Sequence, residues 1–286
     1  MGENSAIGWT THTLNPWIGC HKISPACKNC YAAVETFTRV QRGRGLELWG
    51  ANAERHVTSD ANWRKPLAWN RAAEGATDRP RVFCASLSDV LEVREGAVGN
   101  KLDDARARLW DLIEATPNLD WLLLSKRWGN APLVLPERWR DALPRNVWCG
   151  ATVEDQEYAN ERVPLLLSVP AVVHFLSVEP MLGPVDLAAI QIPGEREGLR
   201  FSALKQHDDD RYGSADVLLD WVIVGFESGP GRRPRELSWM QGVVNQCAEA
   251  GVPVFVKQDT GHKSGLQGEI PDALWALKQF PKGLGR

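Results

Sequence analysis

The chain has 286 residues, of which 43% are hydrophobic and 24% charged, with a formal net charge of −3 and a pI of about 6.1. This is the composition of an ordinary globular protein, and it carries no global basic signal for nucleic acid. No apolar run reaches membrane-spanning length, and the opening "MGENSAIGWT" has no basic and apolar leader, so a cytoplasmic protein with no membrane partner and with reduced thiols is expected.

In chain order, the first expected strand lies near "WTTHTLNP". The stretch "LNPWIGCHKISPACKNCYA" (14–32) follows, with Cys20, Cys27 and Cys30 inside eleven residues, half of the six cysteines. Within it Ser24-Pro25 reads as a helix start, with Cys27 and Cys30 one turn apart near its N-terminus. Residues 39–81 are locally basic, with nine Arg or Lys against five acids. They form either a solvated face or a lobe touching a polyanion, with Trp49, Trp63 and Trp69 as stacking surfaces. Six apolar, β-rich runs come next: 81–89, 119–127, 146–155, 171–180, 219–228 and 252–259. Helices are expected between them. Residues 101–116 place Leu102, Ala105, Leu109, Leu112 and Ile113 on one face, with Asn100 as N-cap, and residues 236–251 end in Gly251. Residues 188–216 are polar and aperiodic, and read as a loop insertion. Apolar strands alternating with helices predict an α/β protein: a single domain over 1–286 built as a partial or complete TIM-like (β/α) barrel.

The expected strand ends are polar in a repeated way. They offer Ser86, Ser88 and Asp89; Ser125, Lys126 and Arg127; Thr152 and Glu154; Ser177 and Glu179; Glu227 and Ser228; Lys257 and Gln258. Leaving a buried sheet requires about one polar residue per end. Two or three, mixing hydroxyls and both charge signs, point to a shared site at the C-terminal mouth.

The spacing C-x6-C-x2-C admits three readings. A structural zinc site needs a fourth ligand, such as His12 or His21. Unligated cysteines would serve packing alone. An iron–sulfur cluster on three thiolates leaves one iron open to a substrate or cofactor. Cys84, Cys149 and Cys247 fall in strands and a helix and read as core.

"NPWIGCHKISPACKNCYA" resembles the opening motif of a family of phage and prophage proteins, formerly a domain of unknown function, whose pattern runs approximately WNP-x-x-GC-x-K-x-S-x-x-C-x-x-C-YA. The likeness continues through "SLSDVLE", "LLLSKR", "NVWCGATVEDQEYANERVPLLLSVPA", "FLSVEPMLGPVDL", "DWVIVGFESGPGRRPREL" and "QCAEAGVPVFVKQ". That family looks like a divergent branch of the radical SAM superfamily. This chain departs from the superfamily's usual C-x3-C-x2-C spacing, and Phe226 and Asp259 stand where relatives commonly have Gly and Trp. The resemblance implies a radical SAM barrel with a [4Fe-4S] cluster on Cys20, Cys27 and Cys30, cleavage of S-adenosyl-L-methionine, and an external electron donor. It also implies an isomerase of amino-acid-modified thymine (glycyl-thymine) in phage DNA, acting in the infected host cell. Ser86, Ser88, Ser125, Glu154, Ser177 and Glu179 are then candidates for the cofactor. Glu227, Lys257 and Gln258 are candidates for catalysis. Lys126, Arg127, Ser228, Trp63, Arg64 and Lys65 are candidates for substrate or DNA. A radical enzyme with a small-molecule substrate and a non-catalytic, metal-stapled nucleic-acid-binding protein are the alternatives.

Overall fold

The computed structural model describes residues 3–192, 194, 199–205 and 217–281. Two compact units divide the chain, Met1–Trp148 and Cys149–Arg286.

The first unit contains β1 (His12–Thr13), β2 (Trp17–Ile18), α1 (Thr36–Gly43), β3 (His56–Val57), α2 (Asp60–Ala72), β4 (Arg81–Cys84), α3 (Gly96–Glu114), β5 (Asp120–Ser125), the short α4 (Ala131–Val134) and the start of β6 (Val147–Val153). Its sheet runs β1-β4-β5-β6. β4 is parallel to both β1 and β5, with Phe83 opposite Thr13 on one side and Leu122 on the other. Central parallel strands are covered on both faces, so they are almost continuously apolar, and Val82, Leu122 and Leu123 are fully buried. α3 fills the β4-to-β5 crossover and buries the five predicted residues. It begins at Gly96, five residues before the expected start, with Glu95 as N-cap. Asn100 therefore lies inside the helix. β2 and β3 form a separate antiparallel pair that the sequence did not announce, because two residues carry no periodicity.

The second unit takes up the rest of β6 and adds α5 (Gln156–Leu167), β7 (Val173–Val178), β8 (Ile190–Gln191), β9 (Arg200–Phe201), β10 (Trp221–Gly225), α6 (Leu237–Ala250), β11 (Val254–Gln258) and α7 (Asp272–Trp275). Its sheet order is β6-β7-β10-β11. β10 runs parallel to β7 and to β11, with a register shift between Val224 and Gly225 on the β11 side. Gly251 ends α6 in the left-handed conformation at φ 72°, as the C′ position of a helix favours. β8 and β9 pair antiparallel within the expected insertion. The rest of that expectation, residues 193, 195–198 and 206–216, lies outside the described residues.

The predicted parallel runs are thus all present, in sequential order, in a mixed α/β protein of seven parallel strands. This is the topology of a partial (β/α) barrel. Among the described residues no helix is long and apolar enough to cross a membrane.

Candidate metal centre and strand-end residues

The thiol loop is held from both sides within the first unit. Before it, Gly19 adopts φ +114°, and a Cβ there would lie 2.3 Å from the Leu48 carbonyl oxygen. Only glycine suits both conditions. The Gly19 N–H donates to the Leu87 carbonyl at 3.0 Å, and the Gly50 N–H donates to the Cys20 carbonyl at 3.0 Å. Fully buried Asn15 accepts the Leu87 N–H at 2.7 Å and donates to Ser86 Oγ at 3.0 Å. Tyr31, just after Cys30, donates its hydroxyl to the Ser86 carbonyl at 2.9 Å. The segment following β4 is therefore stitched to the cysteines on both flanks.

The expected helix at Ser24-Pro25 is a single 3-10 turn, Pro25–Cys27, and Ser24 makes no side-chain cap. Cys30, at φ −57° and ψ 119°, is already out of helical geometry. Proline permits the turn to begin, but the backbone at Cys30 prevents its extension, so no helix dipole acts on these thiols. The Ser24 hydroxyl instead faces Cys27 Sγ at 3.8 Å.

All three cysteines are free and half-buried, whereas Cys84, Cys149 and Cys247 are free and buried, as expected of core residues. Burial pushes the Cys20 thiol up to about 12, against the Arg127 charge that favours the thiolate. Burial likewise raises Cys30, with Lys126 opposing it and neighbouring Cys27 adding to it. At Cys27 burial is outweighed by Lys126, nearby backbone donors and the Ser24 hydroxyl, and the thiol falls below its ordinary value. Two consecutive cations at the end of β5 thus attend all three thiols.

Arg127 is buried and held by three partners. Its guanidinium donates to Asp89 Oδ2 at 2.6 Å, to the His21 carbonyl at 2.8 Å and to Cys20 Sγ at 3.5 Å. Asp89 also accepts the Ser125 hydroxyl at 2.7 Å and the Leu91 N–H at 3.1 Å. Burial alone would raise the Asp89 carboxyl, but Arg127 and these donors hold it below the usual range. Behind His21 lies fully buried Glu92, which meets His21 Nδ1 at 2.7 Å and Arg55 at 2.6 and 2.9 Å. Arg55, also fully buried, donates further to the carbonyls of Leu48, Gly50, Ala53 and Glu54. The sequence reading missed the roles of Asn15, His21, Arg55 and Glu92. "SLSDVLE" contains Asp89 and Glu92, but their partners are far away in the chain.

His12 is buried and stacked on Trp69 at 4.2 Å, and His21 is bound to Glu92. Among the described residues no group of three or more His, Cys, Asp or Glu is gathered so as to hold a single metal ion. Three free thiols on one short loop, with cations beside them, match in number and type the donor set of a cluster that keeps one iron open. Ser88 adds a second observation, since its hydroxyl is shielded from solvent and has no hydrogen-bond partner.

Trp63 is 2% exposed, donates to the Thr58 carbonyl at 3.2 Å and has the Arg108 guanidinium 4.4 Å from its ring. It is a core side chain here, with no face free for a base. Arg64 is exposed and Lys65 half-buried. Of the other basic residues in 39–81, Arg55 is internal and Arg42 pairs with Glu47 at 2.8 Å.

In the second unit most of the strand-end residues already have partners, chiefly in the following helix or loop. Glu154 is buried and accepts from Arg162 at 2.9 Å. Ser177 is buried in β7. Glu227 accepts from the Arg233 backbone N–H, Nε and Nη2 at 2.8, 3.0 and 2.6 Å. Gln258 donates to the Phe226 carbonyl at 2.8 Å and accepts from Ser264 Oγ and the Gly265 N–H at 2.6 and 3.0 Å, pinning the loop beyond β11. Ser228 is half-buried and bridges through its backbone to Gly261. Asp259 grips Arg235 at 2.7 and 3.0 Å. Lys257 and Glu179 meet at 2.6 and 2.8 Å and are both half-buried. They are a complementary pair that solvent still reaches.

No curated protein and no solved structure matches the chain. Residues 4–272, nearly its whole length, match the family described as a protein of unknown function, DUF5131. The chain that carries this thiol loop therefore belongs to the DUF5131 family.

Proposed function

We propose that this chain is a radical SAM enzyme in which Cys20, Cys27 and Cys30 bind a [4Fe-4S] cluster. The observation that carries the reading is the free thiol triad on one loop, attended by Lys126 and Arg127. When bound, the cluster and S-adenosyl-L-methionine would supply one-electron cleavage and hydrogen abstraction. The chain's own part is to hold the thiolates, orient ligands and exclude water. Ser88, with its unpartnered shielded hydroxyl, is the best placed of the cofactor candidates to donate to a ligand. An electron donor of low potential is required from outside.

The proposed substrate is an amino-acid-substituted thymine in phage DNA, rearranged in the infected host cell. The substituent presents a carboxylate and an amine, and the exposed side of the Lys257–Glu179 pair supplies the two complementary charges. A base in duplex DNA must leave the stack, which costs a few kcal/mol. Exposed Arg44, Arg64 and Arg71 are the residues that would grip phosphates. The second reading, a radical enzyme with a small-molecule substrate, is favoured by the burial of Trp63 and Trp69 and by the net charge of −3.

Anaerobic reconstitution with iron and sulfide, followed by reduction with S-adenosyl-L-methionine, should yield 5′-deoxyadenosine. With DNA carrying glycyl-thymine, digestion should give a nucleoside of unchanged mass and new retention time. Stoichiometric zinc without iron would overturn the radical reading. Cofactor cleavage with unchanged nucleosides and no DNA affinity at low salt would favour the small molecule.

A further inference from the structure

The sequence marks Arg127 as a substrate-binding cation, but its geometry assigns it elsewhere. The side chain is buried, and both terminal nitrogens are occupied, one by Asp89 and the other by the His21 carbonyl and Cys20 Sγ. Asp89 is itself held by the Ser125 hydroxyl, and Ser125 Oγ accepts the Arg127 N–H at 2.9 Å. The result is a closed relay at the end of β5: hydroxyl, carboxylate, guanidinium, thiol. Three of the five guanidinium N–H groups are thus committed inside this relay, and the side chain is held away from solvent. A buried thiolate near Asp89 and Glu92 needs a cation in contact, and Arg127 is in contact with Cys20.

We propose that Arg127 is a positioning residue that fixes Cys20 as a cluster ligand and, through its N–H···S contact and charge, raises the cluster's reduction potential. The proposal rests on the reading of the three cysteines as cluster ligands. Hydrogen bonds to ligand sulfur and nearby positive charge favour the more negative, reduced state. Lys126, facing Cys27 and Cys30 through charge alone, does not fix a sulfur in position.

The test compares wild type, Arg127→Met and Arg127→Lys after anaerobic reconstitution. Iron and sulfide per chain are measured first, then the midpoint by dithionite titration monitored by EPR. In Arg127→Met the ratio of reduced to oxidised cluster at fixed potential should fall at least tenfold, which is about 59 mV for one electron. Arg127→Lys keeps the charge but cannot make the forked contacts, and should shift less in the same direction. Loss of iron from folded Arg127→Met with iron retained in wild type also supports the proposal. If Arg127→Met does not fold, Arg127→Lys decides by the same midpoint. A midpoint and iron content equal to wild type, with only a raised KM for substrate, would overturn the proposal and return Arg127 to substrate binding. Wild type without iron would sink the cluster reading, and the proposal with it, before any variant is compared.

Discussion

At the scale of single residues, the three thiols are distinguished by surroundings more than by spacing. Each is expected to be indispensable: Cys20→Ala, Cys27→Ala or Cys30→Ala should abolish the iron chromophore after reconstitution. Cys247→Ala, inside α6, should leave iron content unchanged while lowering the unfolding midpoint, because it opens a small cavity. Gly19 is a second test. A methyl group there meets both the positive φ and the Leu48 carbonyl, so Gly19→Ala should cost about 1–3 kcal/mol of strain. Its signature is reduced iron loading with far-UV circular dichroism unchanged. The cysteine cluster was legible because three thiols in eleven residues are conspicuous. Arg127's role was not legible, since its partners Asp89 and Cys20 lie far from it in the chain, and a strand-end arginine looks the same in sequence whether it faces substrate or a thiol.

At the scale of elements, the strands were readable because a sheet covered on both faces demands apolar runs that stop where the backbone meets polar surroundings. The Pro25 turn was misread as a helix because its first residues satisfy helix-start rules and the break comes only at Cys30. The antiparallel pair of β2 and β3 was missed for brevity. What ties these short pieces down is a buried charge cluster, not periodicity. Glu92 holds fully buried Arg55 and half-buried His21, with its carboxyl kept low by Arg55 and His21 against the effect of burial. Glu92→Gln leaves the buried Arg55 charge uncompensated, and should cost about 3–5 kcal/mol in denaturant unfolding. In β7, burial lowers His174 below its ordinary value, partly offset by its contact with the Val169 carbonyl. The unfolded chain then takes up the proton first as pH falls. The stability is fully present above about 6.5 and is lost as pH drops from there toward the lowered folded value. His174→Gln should flatten the fall of the urea midpoint below pH 6.5, as read from unfolding curves at stepped pH.

At the scale of the whole molecule, the mild negative charge and the local basic stretch make opposed demands on a DNA substrate. Phosphate contacts through Arg44, Arg64 and Arg71 would make affinity fall steeply with salt, by roughly 0.9 log unit per contact for each tenfold rise. Fluorescence anisotropy with labelled DNA between low and physiological salt should show that slope, and Arg64→Gln should reduce it by about one contact. A flat, weak signal would point to the small-molecule reading. The α/β class and strand succession were visible from the chain alone. Which of its many tryptophans would be interior was not, since a tryptophan beside basic residues reads equally as core or as a stacking surface. Trp63 is settled by packing against Arg108, a residue on another helix.

One contact in the second unit has a consequence for how such sequences can drift. Gly150 in β6 has no side chain, and a Cβ there would lie 2.2 Å from the Phe175 ring of β7. The ring occupies the space the glycine leaves open, so neither position can change freely while the other stays. Sequences that acquire a side chain at 150 should carry a smaller residue at 175, as a coupled replacement. In the laboratory, Gly150→Ala alone should be poorly tolerated, and Phe175→Leu should rescue it more than the two single effects would sum to.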